Sequence, residues 1–163
     1  MLTIKIDTGD FEAGLKNLAR RLTKARRAID GLTVSYGFYS DQHYSGMTVA
    51  DLARILASGV SFADGQPRDF MQVAANNRDL QAYTMKILKQ ITKEALSGRT
   101  QFTNKLSALG LYAQTILYQT IHLGTFNYPH NSPTWAAVKG FNKAMIHTGD
   151  LINSISYRIE TYT

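Results

Sequence analysis

The chain of 163 residues contains no cysteine. That excludes a disulfide framework, a thiolate zinc site and a cysteine nucleophile. No apolar run approaches the roughly 20 residues that a membrane-spanning helix needs. The opening Met1-Leu2-Thr3-Ile4 lacks the charged start and apolar centre of a signal peptide, so a product of the cytoplasm is expected. Acids are scarce beside bases: 12 Asp and Glu face 18 Lys and Arg, a net charge of +6. This balance favours acidic partners such as nucleic acid. Tryptophan occurs once, as Trp135.

Motifs that carry chemistry are equally sparse. The four histidines, His43, His122, His130 and His147, form no recognisable metal-ligand motif with one another or with carboxylates. There is no Gly-x-Ser-x-Gly elbow and no Walker-type loop. Gly37 and Gly46 are isolated, and Asp41, Asp51, Asp64, Asp69 and Asp79 form no motif that fixes a metal or an acid–base pair. The expectation is a protein that is not an enzyme and carries no cofactor.

What is present is a core and a clear periodicity. A hydrophobic fraction of 44% suits one folded domain. Leu2, Ile4 and Ile6 alternate with polar residues, as do Leu32, Val34, Tyr36 and Phe38, and Ile155, Tyr157 and Ile159. Such alternation predicts strands near 2–7, 32–39 and 154–162 with one buried face. Phe11, Leu15, Leu18, Leu22, Ala25 and Ile29 recur at steps of four and three, one stripe of an amphipathic helix near 10–29. Lys16, Arg20, Lys24 and Arg27 fall on its opposite face. That face is either a solvated outer surface or a contact for phosphate.

Further helices are predicted near 48–58, 68–97 and 104–123. Thr48 with Asp51 suggests a capping box, Gly59 a helix end, Pro67 a first turn and Thr103 a cap. Asn76-Asn77 is a candidate interruption. The last two long helices, joined by a short polar segment, suggest an antiparallel pair. Residues 40–47, 60–66 and 124–147 read as loops. The last is long, holds Pro129 and Pro133, and includes Trp135, which either anchors the segment or marks a subunit contact. Thr148-Gly149-Asp150-Leu151 reads as a tight turn that starts a short helical element, with Thr148, Gly149 and Leu151 defining the fold.

Four segments, taken in order, resemble the tail-completion (neck) proteins of long-tailed bacteriophages, the lambdoid tail-component family. Val34-Ser35-Tyr36-Gly37-Phe38 is similar to the family's Val-x-Val-Gly-Phe strand. Thr48-Val49-Ala50-Asp51-Leu52-Ala53, followed by Gly59, is similar to its next helix. Pro67-Arg68-Asp69-Phe70-Met71 resembles its Pro-x-Arg-Pro-Phe-Met segment. Met145-Ile146-His147-Thr148-Gly149-Asp150-Leu151 and Ser154-Ile155-Ser156-Tyr157 resemble its Leu-Ile-Asp-Thr-Gly-x-Leu-x-x-Ser-Ile-x-Tyr. The chain departs from the pattern at Ala57-Ser58, where an acid is usual, at Asp69 for proline, and at His147 for aspartate. These departures admit a neighbouring ring of the neck.

The resemblance implies a virion structural protein made in the host cytoplasm. It would form a homo-oligomeric ring, usually sixfold, at the head-proximal end of the tail. Its partners would be the head connector, the tail tube or tail terminator, and genomic DNA passing non-specifically through the lumen, with no membrane. The expected architecture is α+β: a small, mainly antiparallel sheet packed by about four helices, with long interface loops. Tyr128, Trp135 and Phe141 are the expected interface residues, and Lys16, Arg20, Lys24 and Arg27 the expected lumen face. The alternatives are a basic nucleic-acid-binding module, a phage assembly factor, or a small nuclease needing clustered acids around a metal.

Overall fold

The computed structural model describes residues 9–39, 43, 45–59, 67–126, 131–143, 145 and 149–161. The strand expected at 2–7, the loop at 60–66, half of the loop at 40–47, and Tyr128, His130, His147 and Thr148 lie outside these residues.

The described chain is α+β. Its elements are α1 (Gly9–Ile29), β1 (Leu32–Gly37), α2 (Val49–Ser58), α3 (Phe70–Ala75), α4 (Arg78–Leu96), α5 (Thr103–Leu123), α6 (Pro133–Lys139), α7 (Asp150–Asn153) and β2 (Ser156–Thr161). The two strands pair antiparallel, from Leu32 opposite Thr161 to Gly37 opposite Ser156. Val34 therefore faces Ile159, and Tyr36 faces Tyr157. The ribbon lies across α5, which also carries α3 and α4. A two-stranded ribbon is marginal alone, so this helix supplies the burial that the sheet needs.

Helix α5 is the hub because its apolar residues are dense enough to serve several neighbours. Leu106, Leu109, Ala113, Ile116, Leu117 and Ile121 are all buried. Gly110 admits the ring of Tyr157: a β-carbon built there falls 2.2 Å from the tyrosine Cδ2. Phe70, fully buried, meets Phe38 and Phe126 edge-on at 6.0 and 5.9 Å between ring centres. The α4–α5 pair is antiparallel, and Lys105 Nζ lies 3.2 Å from Glu94 Oε1 across the connection.

Caps set the boundaries. Thr48 Oγ1 accepts from the Asp51 amide at 3.1 Å and donates to its carboxylate at 2.7 Å, while Gly59 closes α2 with φ of 73°. Asn77 accepts from the amides of Asp79 and Leu80, both at 3.0 Å. The Asn76-Asn77 interruption is therefore complete, and the helix expected over 68–97 is two helices. Pro67 precedes α3 instead of opening it: the Arg68 amide donates to Leu56 O, so this stretch is fixed to α2 before the helix starts at Phe70. Thr103 is the first helical residue and not the cap, which is Phe102 without a side-chain bond.

Two differences reach the surface. The segment expected as loop over 124–147 contains α6, started by Ser132 Oγ accepting from the Trp135 amide at 3.2 Å and ended by Gly140 at φ of 74°. Proline at its first turn loses no hydrogen bond there. The second difference is α1. Its stripe does not face the sheet. Only Ala25 is buried along it, while Phe11, Leu15, Leu18 and Leu22 are 67%, 50%, 49% and 50% exposed. Its packing is against α4, and Arg21 Nη2 donates to Leu96 O at 2.9 Å.

Candidate assembly surfaces

The four segments that carry the resemblance meet in space. β1 pairs with β2, the Ala50 amide donates to Tyr39 O at 3.2 Å, and the Arg68 amide donates to Leu56 O at 3.1 Å. Phe38 and Phe70 share an edge-on contact. Gly149 caps α7 at φ of 89°, and Leu151 and Ile152 behind it are buried. Segments far apart in sequence thus make one structural unit.

Beside that unit sits a polar series. His43 Nδ1 lies 2.8 Å from Ser45 Oγ, and His43 Nε2 lies 3.7 Å from Asp150 Oδ2. These are the residue types of a nucleophile relay. The same Nδ1, however, also meets the Ser45 amide at 3.3 Å, and the Gly46 amide donates to His43 O. The geometry is that of a closed turn fastened to α7. Among the described residues, no three His, Cys, Asp or Glu side chains are grouped to hold a metal ion. No helix among them is long and apolar enough to cross a membrane.

The conspicuous feature is exposed apolar surface. Besides the α1 stripe, Leu111, Tyr118 and Leu123 are exposed on α5, and Trp135, Val138 and Phe141 on and after α6. Monomeric proteins rarely leave such residues in contiguous groups. None of the residues of helix α6 is fully buried, and only Ala136 and Lys139 are partly so. Its C-terminal turn is nonetheless fixed. Lys139 Nζ donates to Lys143 O and lies 4.8 Å from the centre of the Phe141 ring, and Lys143 Nζ donates to His122 O at 3.5 Å. Burial of the Lys139 ammonium lowers its pKa. Tyr118 stacks on His122 at 5.6 Å, which adds a flat, half-polar tile to the end of α5.

Of the expected interface residues, Trp135 and Phe141 are 43% and 40% exposed, and Tyr128 lies outside the described residues. The expected lumen residues Lys16, Arg20, Lys24 and Arg27 are all exposed on α1. Helical spacing sets them opposite the Phe11–Leu22 stripe, so one helix offers an apolar face and a basic face together. The periodicity revealed the stripe but not its exposure, because amphipathicity marks a face that needs covering and not the body that covers it.

A third surface has no local signal in the sequence. Between β1 and α4, with α5 as floor, runs an open groove of about 530 Å³ lined by Val34, Tyr36, Leu80, Met85, Leu109 and neighbours. Its apolar wall half-buries Tyr36 and raises the pKa of the phenol. No family model, curated protein or solved structure matches the chain.

Proposed function

We propose that the chain is a structural subunit of a tailed-phage virion, forming a ring at the head–tail junction as a tail-completion, tail-terminator or neck protein. The ring, sixfold by resemblance, joins the tail tube to the head connector and surrounds the path of the DNA. The subunit is a building block without cofactor or catalytic role, made in the host cytoplasm and retained in the particle.

One observation carries this reading: large apolar side chains stand exposed on separate parts of one small chain, along α1 and along the α5 end with α6. A ring subunit needs two different surfaces that complement each other across a rotation. The resemblance of the β1, α2, Phe70 and Gly149 segments supports the assignment to the neck, and their convergence in one unit supports treating them as a single feature. The exposed basic face of α1 suits a lumen that DNA traverses, since unpatterned phosphate contacts are screened by salt and permit sliding. The same face favours the second reading, a nucleic-acid-binding module or assembly factor.

The test is electron cryomicroscopy of intact particles from the phage that encodes the chain. The expected result is a ring of this subunit between portal and tail tube. Deleting residues 124–147 is expected to leave filled heads and separate tails. Full infectivity of the deletion, or particles that lack the chain, would overturn the assignment; a chain needed for production yet absent from the particle is an assembly factor.

A further inference from the structure

The positive charge of this chain is not spread evenly. Helix α1 together with the stretch from Arg78 to Lys105 holds twelve of the 18 bases and four of the 12 acids. The remainder, with six bases and eight acids, is net acidic. The two basic stretches are neighbours, because α1 packs on α4.

On α4 the bases form a row. Lys86, Lys89 and Lys93 are exposed and spaced by three and four residues, which sets them on one side of the helix. On α1, exposed Lys16, Arg20 and Lys24 repeat every four residues. Like charges at these spacings weaken a helix by about 0.2–0.5 kcal/mol per pair. Neither row helps its helix to form, and both gain when an anion lies across them.

The row on α4 runs into a hollow. Where the helix ends, an open space of about 420 Å³ is lined by Gln90, Lys93, Glu94, Ser97, Arg99 and Lys105. Its one acid is claimed twice: Glu94 Oε1 lies 3.2 Å from Lys105 Nζ and 3.5 Å from Arg99 Nη1. Three bases against one acid leave an excess of positive charge. Helix α1 reaches the same corner, since Arg21 Nη2 donates to Leu96 O at 2.9 Å. At 1.5 Å per residue, Lys16 to Lys24 covers about 12 Å of α1 around that contact.

The lining identifies the class of anion. No apolar residue lines the hollow, so neither acyl chains nor the packed centre of a protein interface has a foothold there. No aromatic residue lines it either, so unpaired bases have nothing to stack on. Hydrated phosphates repeated along a duplex need only cations spread over a surface, and the corner supplies them. Lys89 and Lys93 also border the apolar face of α4 with Met85 and Leu88. Arg99 and Lys105 do not, and they tie the hollow to phosphate independently of that face.

We infer that the corner where α4 runs into its link to α5, continued by the bases of α1, holds the phosphate backbone of duplex DNA. The chain then meets DNA through Lys89, Lys93, Arg99 and Lys105 as well as through α1. Glu94 holds Arg99 and Lys105 in place and at the same time weakens their grip on phosphate. The inference rests on the DNA path of the ring reading for its biological setting, but the contact is measurable on the isolated protein.

The experiment titrates the full chain with a mixed-sequence duplex over a series of salt concentrations, and circular dichroism checks folding. The logarithm of the affinity is expected to fall linearly with the logarithm of salt. Lys93→Gln with Arg99→Gln removes two contacts and is expected to make that slope shallower by about 1.8. Both positions are exposed, so the fold is expected to persist. Arg54→Gln with Arg158→Gln removes the same charge from exposed positions on α2 and β2 and is expected to leave the slope unchanged. Glu94→Gln frees Lys105 and Arg99. It is expected to tighten binding and to steepen the slope by about 0.9 for each base freed, a gain that misfolding cannot produce.

An unaltered chain that does not bind the duplex would overturn the inference. Equal slopes for the two double variants would do so too, since net charge and not position would then govern binding. A clear preference for the single strand also counts against it, as do vesicles of anionic lipid that bind the chain and displace the duplex. Duplex binding at this corner by a chain absent from virions would sink only the ring-at-the-neck reading. A neck ring formed by a chain whose DNA binding ignores Lys93 and Arg99 would sink only this contact.

Discussion

At the scale of single residues, Gly110 is the most constrained position of the hub helix. A mid-helix glycine costs about 1 kcal/mol relative to alanine, so its presence needs a reason, and Tyr157 is that reason. Gly110→Ala returns the propensity term but drives a methyl into the tyrosine ring, where 2.2 Å lies far inside van der Waals contact. Overpacking of this kind costs about 1–3 kcal/mol, so the clash outweighs the gain. Thermal unfolding is expected to show a net loss of up to about 2 kcal/mol, with Tyr157→Leu in the same chain restoring part of it. Equal stability of Gly110→Ala and the parent would mean that β2 does not press on α5 here. Sequence reading passes over this glycine, since the helix period is unbroken through it and the tyrosine comes from a distant strand.

At the scale of elements, the strands and long helices were legible because each is amphipathic on its own period. The Leu32–Phe38 and Ile155–Ile159 alternations are ladder partners, and Thr48 and Asn77 act through local hydrogen bonds that their spacing announces. Helix α6 was hidden because it is short and none of its residues is fully buried: its evidence is only Ser132-Pro133 at one end and Gly140 at the other. The destination of α1 was also hidden, since burial depends on what lies opposite. The two faces of α1 make separable demands. Reversing Arg20 and Lys24 to glutamate touches only the basic face and is expected to reduce DNA retention, with a shallower salt dependence, while multimers persist. Binding measured against salt checks this, and an unchanged slope would remove α1 from any DNA path.

At the scale of the whole molecule, the candidate surfaces emerge from elements that sequence reading treats separately. The groove exists only where β1, α4 and α5 converge, and no local pattern reports such a meeting. Trp135 and Phe141 stood out as aromatics in a segment without a steady period, and their exposure keeps them available to a neighbour. The wall of the groove depends on the ribbon, whose ladder joins Leu32 to Thr161. Removing residues 156–163 is expected to strip β1 of its only described ladder partner, expose the α5 glycine face and abolish multimers. Hydrogen exchange would register this as lost protection at Val34 and Tyr36, whereas a truncated chain that still assembles would free assembly from the sheet.

The Leu32–Thr161 ladder also has a consequence in time. The ribosome delivers β1 long before β2, and pairing across so much sequence is slow compared with helix formation. Throughout synthesis the helices can gather on α5 before β2 exists. A chain stopped short of β2 therefore holds β1 without the ladder partner described here and leaves the Gly110 face of α5 without the Tyr157 ring that fills it.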